Sequence, residues 1–134
     1  MLYSYFVKKR IYKIKTFTRW AKKILSDEQL CVAATEILQG QYEADLGAGL
    51  CKKRIAVSGQ GKSGGIRTLV AKDGSYGLFF IAGRQKKDPG GDFSQANVAQ
   101  AQVIGEALQR ANARELDLLM NEGLLKEICN DEEN

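Results

Sequence analysis

Basic side chains recur through the middle of this chain in a pattern suited to phosphate. Lys52, Lys53 and Arg54 come first. The glycine-rich run SGQGKSGGIRTLV, residues 58–70, then supplies Lys62 and Arg67, and Arg84, Lys86 and Lys87 follow. Cations held around one phosphate stabilise charge that develops on it. Histidine is absent. Acid–base work must therefore fall to Lys, Arg, Tyr, Asp or Glu. Cys31, Cys51 and Cys129 are widely spaced and form no CxxC pair. A zinc site of the usual Cys/His kind is excluded on that ground. The cysteines are expected as free thiols in a reducing compartment, with Cys31 and Cys51 as small apolar fillers.

The Gly61-Lys62-Ser63 triplet resembles the end of a nucleotide-binding loop. That motif needs GxxxxGK[ST] after a strand and before a helix. Its first glycine would fall at Ala56, and Ile66–Ala71 reads as a strand. A helix N-terminus to hold the phosphates is missing. The run is therefore expected to be a strand–loop–strand turn that presents Lys62.

The surrounding periodicities say what positions these residues. Residues 11–16 alternate as a short strand. Residues 17–25 place Phe17, Trp20, Ala21 and Ile24 at helical spacing. Ser26 and Gln29 form a capping box that opens a helix over 27–38. Residues 41–50 read as a loop. Over 50–57 the period is two, with Lys52 and Arg54 on one face and Lys53 on the other. Strands follow at 66–72 and 76–83, joined by an Asp73-Gly74 hairpin signal. In such a meander Lys52, Arg54, Arg67, Arg84, Lys86 and Lys87 can converge on one concave surface. Helices are expected at 94–111, begun by Ser94, and at 115–128. Phe17, Trp20, Phe79 and Phe80 have the spacing of core residues, and Tyr76 is expected to pack on the sheet.

Charge is segregated. Residues 1–87 hold 17 Lys/Arg against 6 Asp/Glu, and residues 88–134 hold 3 against 10. This suggests a polyanion-binding body with an acidic tail, either solvated or folded over the basic half. No apolar run is long enough to span a membrane, and the N-terminus is a poor secretory signal. The default location is cytoplasmic.

Over residues 11–110 the chain resembles toxins of the RelE/HigB type from bacterial type II toxin–antitoxin modules, in particular the HigB-like branch of the RelE/ParE superfamily. FTRWAKK with LSDEQL looks like that family's helix pair. ADLGAGLCKKRIAVSGQGKSGGIRTLVA looks like its strand–basic loop–strand, and GLFFIAGRQKK like its last strand and basic end. The resemblance implies an α/β (α+β) domain. Two N-terminal helices would pack on a three- to four-stranded antiparallel sheet, with C-terminal helices. It divides the chain into an extension (1–10), a toxin domain (11–111) and an acidic helix and tail (112–134).

The resemblance implies a ribosome-dependent mRNA endonuclease that uses the substrate's 2′-hydroxyl as nucleophile and needs no cofactor or metal. Lys52, Arg54, Arg67 and Arg84 would be its catalytic residues. Arg67 would clamp the scissile phosphate, and Lys52 or Lys62 would act as base. Arg54 and Arg84 would stabilise charge or donate a proton. Lys62, Lys53, Lys86 and Lys87 would bind RNA. Its partners would be a cognate antitoxin, mRNA and the ribosomal RNA of the A site, with no membrane. The alternatives are a gyrase inhibitor of the ParE type and an inactive prophage-type relic that binds RNA or an antitoxin. A catalytic aromatic found near the C-terminus of some RelE proteins has no clear match. The segment KKDPGGDFSQ, with Asp88 and Asp92, departs from the family's basic turn.

Overall fold

The computed structural model describes residues 9–57 and 61–130, and only the backbone of 61–64. Most of the expected N-terminal extension and the acidic residues 131–134 thus lie outside the described residues. The elements in chain order are β1 (Arg10–Ile14), α1 (Lys15–Ala21), α2 (Asp27–Leu38), β2 (Ala44–Gly47), β3 (Leu50–Val57), β4 (Gly61–Ala71) and β5 (Gly77–Arg84). After these come α3 (Gln95–Arg110), α4 (Ala113–Asn121) and β6 (Leu125–Ile128).

The six strands form one sheet in the order β2-β3-β4-β5-β1-β6. The meander β3-β4-β5 is antiparallel, as the alternating residues require. The sheet as a whole is mixed, because β1 runs parallel to β5. It is also wider than expected. Residues 44–47 form an edge strand within the expected loop, and residues 125–128 form the other edge, antiparallel to β1. The segment expected as a helix over 115–128 stops at Asn121. Gly123, at φ 78°, adopts a conformation that side chains disfavour, and the chain turns there into β6. The acidic C-terminal region is therefore built into the sheet as far as Ile128. There Glu127 pairs with Arg10 of β1.

Helices cover both faces. On the first, α1 and α2 bury Phe17, Ala21, Leu30, Ala34 and Ile37 against Ile11, Cys51, Ile55, Val70, Leu78 and Phe80. On the second, α3 and α4 bury Ala101 and Leu116 against Tyr12, Leu50, Leu69, Phe79 and Ile81. Ser26 and Gln29 form the expected capping box, and Ser94 caps α3. Phe17, Phe79 and Phe80 are core residues, and Trp20 packs against that core in a partly buried position.

The expectation of free thiols is overturned for two of the three cysteines. Cys31 of α2 and Cys129, just after β6, form a disulfide across 98 residues, with their Cα atoms 5.7 Å apart. They meet because α2 and the end of β6 lie on the same face of the sheet. Cys51 is free and buried. Burial pushes its thiol up to about 12, which makes it a filler rather than a nucleophile.

Candidate functional site

The register of the meander aligns three arginines. Arg54 of β3 stands opposite Arg67 of β4, and Arg67 stands opposite Arg84 of β5. Neighbouring strands lie about 4.8 Å apart, so the row crosses roughly 10 Å of sheet. Side chains alternate between faces along a strand. All three arginines are on the face that α3 covers further along, and Lys52 follows on the same face two residues before Arg54. The expected loop is shorter than its glycines suggest: β4 begins at Gly61, which pairs with Val57, so Lys62 and the following glycines lie on the strand, and residues 58–60 lie outside the described residues.

Glycine has a specific place here. A Cβ at Gly65 would come within 2.9 Å of the Arg54 Cγ. The Arg54 side chain therefore lies across β4 at a glycine, where no side chain projects. Its backbone N–H donates to Glu43 Oε1 at 2.6 Å. The guanidinium groups of Arg54 and Arg67 have no hydrogen-bond or ion-pair partner among the described residues.

Lys52 and Arg84 are engaged by the loop over residues 85–94. The Lys52 ammonium donates to Asp92 Oδ2 at 2.7 Å. Arg84 is only 8% exposed. Its guanidinium donates to the carbonyls of Asp88 and Pro89 at 2.6 and 2.9 Å, and to that of Asp92. Its Nε is buried without a partner. The Asp88 carboxylate accepts from the Gln85 N–H and closes the turn. The hydrogen bond from Lys52 is the largest influence that holds the Asp92 carboxyl below the usual carboxylate range. The Phe93 N–H and the charge of Arg67 act in the same direction. Arg84 is thus the anchor of a loop, and an ammonium already paired with Asp92 must let go before its amine can accept a proton.

The remaining expected residues do not join this row. Lys53 points to the opposite face, where it is buried. It pairs with Glu36 of α2 at 2.8 Å and donates to the Gln41 carbonyl at 3.0 Å, so it is not presented to a ligand. Lys86 and Lys87 are exposed, but they line a cleft that opens beside Ile24 and Ile66, on the α1/α2 side. The side chain of Lys62 lies outside the described residues. Tyr76 is exposed and precedes β5. Arg84 ends that strand, roughly 25 Å away at the usual rise per residue, so Tyr76 neither packs in the core nor reaches the row. The residues not assigned from sequence are Asp92, Gly65 and Glu43. The signal for Asp92 was the pair of acids, Asp88 and Asp92, in KKDPGGDFSQ, where a basic turn was expected.

Among the described residues no cluster of His, Cys, Asp or Glu could hold a metal ion. No helix among them is long and apolar enough to cross a membrane. Fold and site define a small two-faced α+β domain that exposes paired arginines on a mixed sheet. The family model described as the RelE toxin of the RelE/RelB toxin–antitoxin system matches residues 9–128, and the chain belongs to that family. It is therefore a toxin of a toxin–antitoxin system, and an antitoxin partner is implied. No curated protein matches the chain.

Proposed function

We propose that this toxin cuts messenger RNA during translation. The ribose 2′-hydroxyl loses its proton as its oxygen attacks the adjacent phosphorus. The bond to the 5′-oxygen then breaks, and that oxygen leaves with the bonding pair and takes up a proton. A cyclic phosphate and a free 5′-hydroxyl remain. Arg67 faces the scissile phosphate, and Arg54 beside it shares the charge that builds on the non-bridging oxygens. Lys52, once released from Asp92 and having given up a proton to solvent, takes the 2′-hydroxyl proton as the neutral amine. Arg84 positions the loop that carries Asp92. Lys62 grips ribosomal RNA. The site of action is the cytoplasm, where translated message is found, and the cognate antitoxin restrains the activity.

The observation that carries this reading is the in-register pair Arg54 and Arg67, unpaired on an accessible face. The test is induction of the wild type and of an Arg54→Ala/Arg67→Ala variant in cells, followed by mapping of 5′ ends on translated messages. In-frame cuts with the wild type alone are expected. A second reading, a toxin of the same fold that arrests growth without cutting RNA, is favoured by one observation: two of the four expected catalytic cations, Lys52 and Arg84, are already engaged by residues 88–92. Growth arrest without cuts would select it.

A further inference from the structure

A second surface lies behind the arginine row. Ile66 and Arg67 are consecutive in β4 and therefore project from opposite faces. On the Ile66 side a cleft of about 690 Å³ opens between the residues after α1, the end of β3, the middle of β4 and the turn after β5. Its floor is aliphatic: Ile24, Val57 and Ile66. These three sit at the edge of the core beneath α1 and α2, where that core reaches the surface. Its rim is cationic, with Lys23 on one side and Lys86 and Lys87 on the other. All three lysines are exposed. None has an ion-pair partner among the described residues, whereas Lys13 and Lys53 on the same face are paired with Asp27 and Glu36 of α2.

The chemistry of this cleft differs from that of the arginine row. Planar guanidinium groups suit phosphate, and bases need aromatic or guanidinium planes on which to stack. Among the described residues, the cleft lining offers neither. It offers point charges around an aliphatic floor. Carboxylates satisfy the first and branched aliphatic side chains the second. That combination is found in an acidic amphipathic peptide, which lays an apolar stripe into a groove and keeps its charges at the edge. We infer that the cleft docks an acidic, aliphatic-bearing segment of a protein partner, and that it does so on the side of the sheet opposite the arginine row. The inference is independent of whether the toxin cuts RNA.

The test uses the full chain and a labelled synthetic peptide of about four helical turns, with Leu and Ile on one stripe and Glu elsewhere. Binding is followed by anisotropy of the label and by the fluorescence of Trp20, the only tryptophan of the chain, one helical turn before Ile24. Saturable binding below about 1 mM is expected, weakened about tenfold or more in a Lys86→Glu/Lys87→Glu variant. Both lysines are exposed, so the variant should fold, and circular dichroism checks that it does. An Arg54→Ala/Arg67→Ala variant controls for general attraction of acid to base and should bind the peptide as the wild type does. Absence of binding, equal affinity for the Lys86→Glu/Lys87→Glu variant, or loss of binding in the arginine variant would overturn the inference. So would binding of an oligoadenylate of about 10 nucleotides that depends on Lys86 and Lys87 while the peptide is ignored.

Discussion

Lys53 and Arg54 are adjacent in β3 and end in different environments. Lys53 enters the face covered by α1 and α2, where Glu36 and the Gln41 carbonyl surround its ammonium. Arg54 crosses over Gly65 on the other face, and its guanidinium is left without a partner among the described residues. The same contrast holds across the strands: Arg67 is free, while its neighbour Arg84 is spent on three loop carbonyls. Residue type does not separate these pairs. What separates them is whether α2 or the loop over 85–94 reaches the side chain first. On the first face, acids of α2 neutralise Lys13 and Lys53. On the second, one loop takes Lys52 and Arg84, and two arginines remain for a ligand.

The largest expected effect falls on the free pair. Arg67→Ala should slow cleavage of translated message about 10²–10³-fold with little change in melting temperature, measured by 5′-end mapping and calorimetry. Equal losses of activity and stability would erase the distinction between free and engaged cations. On the α1/α2 face, a Cys31→Ser/Cys129→Ser variant should lose about 2–4 kcal/mol in denaturant unfolding, since the bridge closes a long loop. Arg84→Ala should lose about 1.5–3 kcal/mol, because its hydrogen bonds are charge-assisted. Hydrogen exchange should rise over residues 86–93 in that variant and stay unchanged in Arg67→Ala. Lys53→Ala should cost about 1.5–3 kcal/mol by removing the charge-assisted hydrogen bonds of its ammonium to the Gln41 carbonyl and Glu36.

The smallest effect is pH-dependent. A carboxyl whose folded pKa lies below its unfolded value of about 3.9 contributes stability that is complete above that value. The contribution is lost as pH falls through the folded pKa. Asp92 is such a group. Acid titration of the wild type should therefore show a loss below about pH 4 that is missing in Asp92→Asn.

The alternation of β3 was legible in the chain and correctly separated Lys52 and Arg54 from Lys53. The Ser26–Gln29 box and the length of α2 were legible for the same reason, since each depends on neighbours in sequence. What escaped depends on distant partners. Arg84 is held by backbone carbonyls of residues 88–92, and a carbonyl has no sequence signature. The Cys31–Cys129 bridge requires two elements to dock on one face from 98 residues apart. The β6 strand was hidden by the apolar spacing of Leu118, Leu119, Leu124 and Leu125, which continues a helical stripe through Gly123. Lys86 and Lys87 were assigned to the arginine face because they follow Arg84 at the end of the last strand, but the turn after β5 carries them to the cleft beside Ile24 and Ile66.

The pairing of β1 with β6 joins Ile11 to Ile128, nearly the whole described chain apart. Such contacts form late and slowly, because a large loop must close before they contribute. The β3–β4 hairpin that aligns Arg54 and Arg67 needs only a short loop. During synthesis the arginine pair can therefore assemble while the far edge is still unfinished. A product truncated before Leu125 would leave β1 with a bare row of amides and carbonyls, a template for another strand. Premature termination of this message would then yield chains prone to aggregate edge to edge.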